Sequence, residues 1–216
     1  NNRVGVGSTT PLKALHVQGS SEADIFLRRE DLTNKSWMLN VQSSTGDLNV
    51  KSRNDDGSAI ATSFIAHQSG YLSKPNLPSF LTYGSPTMTA TSGGHGYFHS
   101  FGNSGQSFNN GNHYNNSTGT FTAPVAGFYQ FNFTGFGYNG GAVGVNTVTA
   151  ALNINGTNYI MLVYESNSAG NTYPSATGSA AVYLNASDYA QIYLQAQGIY
   201  ADTTNLYCHF SGFLVA

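Results

Sequence analysis

The run Gly119-Thr120-Phe121-Thr122-Ala123-Pro124-Val125-Ala126-Gly127-Phe128-Tyr129-Gln130-Phe131-Asn132-Phe133 decides the fold. Its second half alternates. Tyr129, Phe131 and Phe133 share one face of a strand, and Gln130 and Asn132 share the other. Three aromatic rings on one face bring a large area for burial. Pro124-Val125-Ala126 reads as a turn, and Gly127 opens the strand where a side chain would crowd the chain reversal. The period of two favours a structural role for these residues over direct contact with a ligand.

The same alternation extends outward. Val148, Ala150, Leu152 and Ile154 share one face, and Asn155-Gly156 follows them as a hairpin signal. Between Tyr189 and Gln197, Ala190, Ile192, Leu194 and Ala196 face one way. Tyr189, Gln191, Tyr193 and Gln195 face the other, and an uncharged aromatic face of that kind is a candidate for subunit contact. Leu206 to Val215 is apolar on both faces, as expected of a central strand covered on both sides. Short strands separated by Gly and Asn turns predict an all-β sandwich.

With Tyr114-Asn115 upstream and Phe210-Ser211-Gly212-Phe213-Leu214 at the end, this run resembles the signature of the globular heads of complement component one, subcomponent q. Asn109, Tyr114, Phe121, Gly127, Tyr129, Phe131 and Phe133 sit at the spacings of that family. One position departs: the aromatic expected at 103 is Asn103, with Phe101 two residues earlier. The resemblance covers residues 78–216. It implies a ten-strand jelly roll of tumour-necrosis-factor type that assembles as a homotrimer. It also implies a structural core motif of Tyr114, Phe121, Gly127, Tyr129, Phe131, Phe133, Phe210, Gly212 and Phe213.

Charge divides the chain. Of 216 residues only 8% are charged, against about 25% in ordinary soluble domains. All eight Lys and Arg lie at or before Lys74, and beyond it the only acids are Glu165, Asp188 and Asp202. A segment without cations is unsuited to nucleic acid. No apolar run is long enough to span a bilayer as a helix. One cysteine, Cys208, excludes an intrachain disulfide framework. No signal-peptide pattern is visible at the start. The charge break coincides with Lys74-Pro75-Asn76-Leu77-Pro78, which reads as an extended joint. The expected division is therefore a first part over 1–74, a linker at 75–77 and a head over 78–216.

The first part alternates too, at Leu15/Val17, Ile25/Leu27, Trp37/Leu39/Val41 and Leu48/Val50, with turn signals at Gly46-Asp47, Asp56-Gly57 and Ser69-Gly70. Such strands carry too few apolar side chains for an independent core. Packing against copies of itself, in a trimer for example, would supply one. Val4-Gly5-Val6-Gly7-Ser8-Thr9-Thr10-Pro11 followed by Leu15-His16-Val17 resembles a recurring phrase of bacteriophage tail fibres, which form trimeric β-structured shafts.

The strand order of the resembled heads puts the turns Ala123–Ala126, Gly156-Thr157 and Asn185–Asp188 at the base. It puts the longer connections Asn139–Asn146, Ser166–Ala176 and Gly198–Asn205 at the tip. Tyr138, Asn139, Asn167, Asn171, Tyr173, Tyr200 and Asp202 of the tip loops are the receptor-binding candidates, because Tyr with Asn, Ser and Gly suits adaptable recognition. His95, His99 and His113 match no metal spacing, and no metal site is expected from them. Some heads of the resembled family hold calcium near the tip. Here Asp202 alone would serve an ion that takes about 6–8 oxygens, unless three chains shared it. Three scattered acids and the lack of a Gly-x-Ser-x-Gly elbow argue against glycosidase or serine-hydrolase chemistry.

The expectation is the distal part of a trimeric phage fibre: a β-structured shaft and a non-catalytic head that adsorbs to a host cell-surface receptor, with a glycan as the suggested ligand. It would be placed on the virion, without nucleic acid or membrane insertion. Two alternatives stand beside it. The head is a structural trimerisation clamp, or the chain is a cellular secreted or surface protein of the complement-head family.

Overall fold

The computed structural model describes residues 4–28, 36–83, 87–91, 95–99, 106–136, 147–166, 175–195 and 208–215. Every regular element among them is a strand. The chain forms two units, Asn1–Asn76 and Leu77–Ala216, and the division falls inside the two-proline run.

The first unit opens with β1 (Val4–Val6) and β2 (Leu15–Val17), a parallel pair. The repeated glycines of the opening phrase have a steric cause. A Cβ on Gly5 would stand 2.7 Å from Pro11 Cγ, because the loop folds back over it. Next come β3 (Ala23–Leu27), β4 (Ser36–Val41), β5 (Leu48–Arg53), β6 (Ala59–Ala66) and β7 (Leu72–Ser73), an antiparallel meander in chain order. Gly46, Gly57 and Gly70 occupy its turns at φ of +72°, +84° and +90°, a region that L side chains avoid.

The two faces of this meander invert the usual arrangement. Register places Ile25, Leu39 and Val50 in one cross-strand row, with Leu27 and Trp37 beside it, on a face that stays largely open. The opposite face buries polar groups: Ser36, Asn40 and Asn49 are all at or below 2% exposure. Asn40 Nδ2 donates to Glu22 Oε2 (2.8 Å) and Asp24 Oδ1 (2.6 Å), and Asn40 Oδ1 accepts from Lys51 Nζ (2.7 Å). The buried amide is satisfied by charged neighbours, so it is held at little cost.

The second unit is a two-sheet sandwich. Its front sheet runs β11 (Gln106–Asn110), β8 (Ser79–Tyr83), β19 (His209–Leu214), β14 (Gly127–Phe136), β17 (Ser175–Leu184). In the back sheet β18 (Tyr189–Gln195) is central. One edge of β18 pairs with β15 (Thr147–Ile154), which also pairs with β16 (Asn158–Ser166). The other edge pairs first with β13 (Thr120–Thr122) and then with β10 (His95–His99). β12 (Tyr114–Asn115) and β9 (Thr87–Thr91) complete it. All pairings in this unit are antiparallel. Among the described residues this unit has twelve strand segments, β8 to β19.

Between the sheets lies one aromatic core. Phe80, Phe121, Tyr129, Phe131, Phe133 and Phe210 are at most 1% exposed. Tyr114 stacks on Phe80 at 4.5 Å, and burial raises its phenol pKa above the ordinary value. Gly212 lies under two of these rings: a Cβ there would stand 2.6 Å from Phe131 Cδ1 and 2.8 Å from Phe80 Cε1. Gly127 is buried as well, at the start of β14.

Phe213 requires a correction. The family resemblance puts it in the core and the apolar pattern puts both faces of its strand under cover, but it is 41% exposed. β19 is central within its sheet, yet only the face carrying Phe210 and Gly212 meets the opposite sheet. The face carrying Phe213 is the outer surface of the sandwich.

Candidate functional site

The pairing register separates the two ends of the sandwich. β14 ends at Phe136, opposite Ser175, where β17 begins, and β19 begins beside Thr134. In the back sheet β15 begins at Thr147, opposite Ser166 at the end of β16, and β18 leaves beyond Thr149. The three long connections between the sheets therefore depart from one end. The receptor-binding candidates Tyr138, Asn139, Asn167, Asn171, Tyr173, Tyr200 and Asp202 belong to these connections and lie outside the described residues.

At the other end the three short turns are laced together. Ala123 N–H donates to Asp188 C=O and Ser187 N–H to Ala123 C=O, both at 2.8 Å. Asn155 Nδ2 donates to Asp188 Oδ1 (2.8 Å), Asn185 N–H donates to Asp188 Oδ2 (2.8 Å), and Tyr189 N–H donates to Asn155 Oδ1 (2.9 Å). Asn155 and Gly156 take φ of 53° and 75°, the hairpin geometry that Asn-Gly favours. The amide of Asn155 and the backbone of Asn185 hold the Asp188 carboxyl below its ordinary pKa. Asp188 thus has a structural task, and its oxygens are committed.

The outer face of the front sheet is a second candidate surface. Reading across the strands, Ser79, Phe213, Gln130 and Ala181 form one row. Leu81, Ser211, Asn132 and Ser179 form the next, and Tyr83, His209, Thr134 and Thr177 a third. Phe128 and Tyr183 pair edge to face at 5.3 Å and are more than half exposed. Phe108 adds another exposed ring at the β11 edge. No Lys, Arg, Asp or Glu stands in these rows. On the back sheet, the sequence-derived contact candidates sit on the outward face of β18. Gln191 is already buried within one chain, Tyr189 and Tyr193 are half-buried, and the Gln195 side chain lies outside the description.

His113 packs edge-on against Phe121 at 6.5 Å, and burial lowers its pKa; burial lowers that of His209 too. The side chains of His95 and His99 are not described. Among the described residues no three His, Cys, Asp or Glu side chains gather as a metal site. In the first unit, sequence reasoning missed a chain of contacts: Asp47 Oδ2 to His67 Nδ1 at 3.0 Å, and His67 Nε2 to Ser73 Oγ at 2.9 Å. No local motif links these positions. They meet because β5, β6 and β7 are adjacent. Asp47 Oδ1 also accepts the Gln68 N–H (3.0 Å), so the group clasps two neighbouring turns, and that bond leads the lowering of the Asp47 pKa.

These shifts predict how stability depends on pH. Carboxyls held below their ordinary 3.8 stabilise the fold above that pH, and the contribution is lost as pH falls through the depressed values. Histidines held below 6.5 act in the same direction: below that pH the unfolded chain binds protons more readily than the folded one. Urea midpoints are expected to be flat above about pH 7, lower near pH 5 and lower again near pH 3. A midpoint that rises on acidification would contradict the assignment.

Residues 90–215 match the family model of the C1q domain. The globular domain of zebrafish complement 1qA is 19% identical and has a TM-score of 0.47, with 64% of this chain and 98% of that one covered. The crystal structure of murine APRIL at pH 8.0 is 10% identical with a TM-score of 0.46, covering 63% and 99%. No curated protein matches the sequence.

Proposed function

This chain belongs to the C1q domain family, and we propose on that premise that it is the distal part of a trimeric viral fibre whose head binds a host cell surface without catalysis. One observation carries the reading. The long connections, rich in Tyr and Asn and almost without charge, leave together from the end of the sandwich opposite its laced turns. Loops grouped on a rigid scaffold suit recognition, and Tyr with Asn and Gly suits stacking on sugar rings and hydrogen bonding to hydroxyls. Three copies would present the loops together, so weak contacts would sum to useful avidity. The fibre-like phrase of residues 4–17 supports the viral setting, and an extracellular place fits the family.

Self-association runs through the front sheet in this reading. Its outer face is uncharged and leaves Phe108, Phe128, Tyr183 and Phe213 open, whereas on the outward face of β18 Gln191 is buried and Tyr189 and Tyr193 are half-buried within one chain. A desolvated interface favours the former composition.

Adsorption to host cells tests the binding role. Tyr173→Ala with Tyr200→Ala is expected to reduce adsorption at least about tenfold, because stacking contacts are multiplied over three copies. Sedimentation should be unchanged. Undiminished adsorption by an intact assembly would leave the head as a structural clamp.

A further inference from the structure

We propose that Lys51 and Asn40 form an intramolecular isopeptide bond that staples β4 to β5 in the first unit. Register builds the site. Asp24 of β3, Asn40 of β4 and Asn49 of β5 stand in one cross-strand row, and Lys51 is two residues further along β5, on the same face. Asn40 is fully buried and Asn49 is 2% exposed. Lys51 Nζ donates to Asn40 Oδ1 at 2.7 Å, and Asn49 Nδ2 donates to the same oxygen at 3.3 Å. Asn40 Nδ2 donates to Asp24 Oδ1 (2.6 Å) and Glu22 Oε2 (2.8 Å). One buried amide thus meets a primary amine at its carbonyl and two carboxyl groups at its nitrogen.

Each contact meets a requirement of transamidation. The amide carbon lies one C=O bond, about 1.23 Å, beyond Oδ1. A turn about the last lysine torsions therefore brings Nζ to the near-attack distance of about 3–3.5 Å. Addition of the neutral amine puts negative charge on Oδ1, where the Asn49 amide already donates. The carboxyl groups of Asp24 and Glu22 carry a proton from Nζ to Nδ2, which makes the nitrogen a leaving group. The Nζ–Cγ bond forms and the Cγ–Nδ2 bond breaks. A lysine ammonium and a primary amide become a secondary amide and an ammonium ion, with no change of oxidation state. Burial of Asn40 keeps bulk water from the carbon, so the lysine is the nucleophile at hand. The product ties adjacent strands in a unit with few buried apolar side chains, where small folds gain most from a cross-link.

Intact mass spectrometry of the purified full chain tests the bond. The mass is expected to fall below that of the sequence by one ammonia. A succinimide at an asparagine loses the same mass, so the digest decides between them. A protease that cleaves before aspartate cuts the chain between Gly46 and Asp47, inside the loop that joins the two residues. With the bond in place the two sides of that cut stay joined under denaturing conditions, and trypsin fails to cleave after Lys51. Lys51→Arg keeps the cation and removes the nucleophile; it should restore the full mass and let the fragments separate. Glu22→Gln with Asp24→Asn, followed by mass after synthesis, should slow cross-linking about a hundredfold or more. A parental rate in that variant overturns the proton-carrying role of the two carboxyls. A folded parent chain that keeps its full mass on prolonged incubation overturns the bond itself, as does a loss of ammonia whose fragments separate after the cut.

Discussion

Phe80→Ala is expected to cost the second unit about 3–5 kcal/mol and to lower its melting temperature by roughly 10 °C. Phe80 is fully buried and has four aromatic ring neighbours. It stacks on Tyr114 (4.5 Å) and Phe121 (5.2 Å), meets Phe210 edge-on (5.0 Å) and reaches Phe131 at 6.5 Å. Its strand β8 lies in the front sheet and its ring touches residues from both sheets, so the truncation opens a void between the layers. The surrounding rings are rigid and cannot collapse into that void, so the full cavity penalty is expected. Chemical denaturation of the whole chain should show a shifted transition for this unit alone. A loss below about 1 kcal/mol would mean that the core repacks, contrary to its aromatic rigidity.

Phe213→Asp addresses association instead of stability. The side chain points outward and is 41% exposed in a single copy, so the fold should survive with its circular dichroism unchanged. In an assembly built on the front sheet, a carboxylate there would be driven into a desolvated seam with no cation in the neighbouring rows. Loss of at least about 2 kcal/mol per contact corresponds to a roughly thirtyfold weaker interface, repeated at each contact of a closed ring. The variant is expected to sediment as a monomer at micromolar concentration, while Phe213→Leu stays associated. If the aspartate variant sediments like the parent, the association surface lies elsewhere, and β18 is the next place to look.

Much of this fold could be read from periodicity. Alternation over Gly127–Phe133 and Thr147–Ile154 reported strands whose inner faces are buried, because a period of two is enforced wherever one face is covered. Turn glycines at 46, 57, 70 and 156 were legible because their left-handed backbone excludes most other residues. Phe80 escaped notice: Ser79-Phe80-Leu81-Thr82-Tyr83 alternates, but it is short and follows the prolines of the joint. Periodicity also gave no indication of which face of the first meander would be open. Trp37, Leu39 and Val41 alternate as a buried stripe would, yet in the fold it is Ser36 and Asn40 that are buried while Trp37 and Val41 stay exposed. The Asp47–His67–Ser73 contact was illegible for a different reason, since it depends on the lateral order of strands. Phe213 was misplaced because an apolar outward face reads the same whether a sheet or another subunit covers it.

The lacing of Ala123, Asn155, Asn185 and Asp188 has one more consequence. It fixes strand register from the end of the sandwich that the long connections do not use. Those connections begin only after β14, β16 and β18 have made their pairs. Substitutions, insertions or wholesale exchange of loop sequence there would leave register and aromatic core alone. The domain is therefore built to accept new surface chemistry at one pole without having to solve its folding problem again, which makes it a natural frame for diversification and for loop grafting.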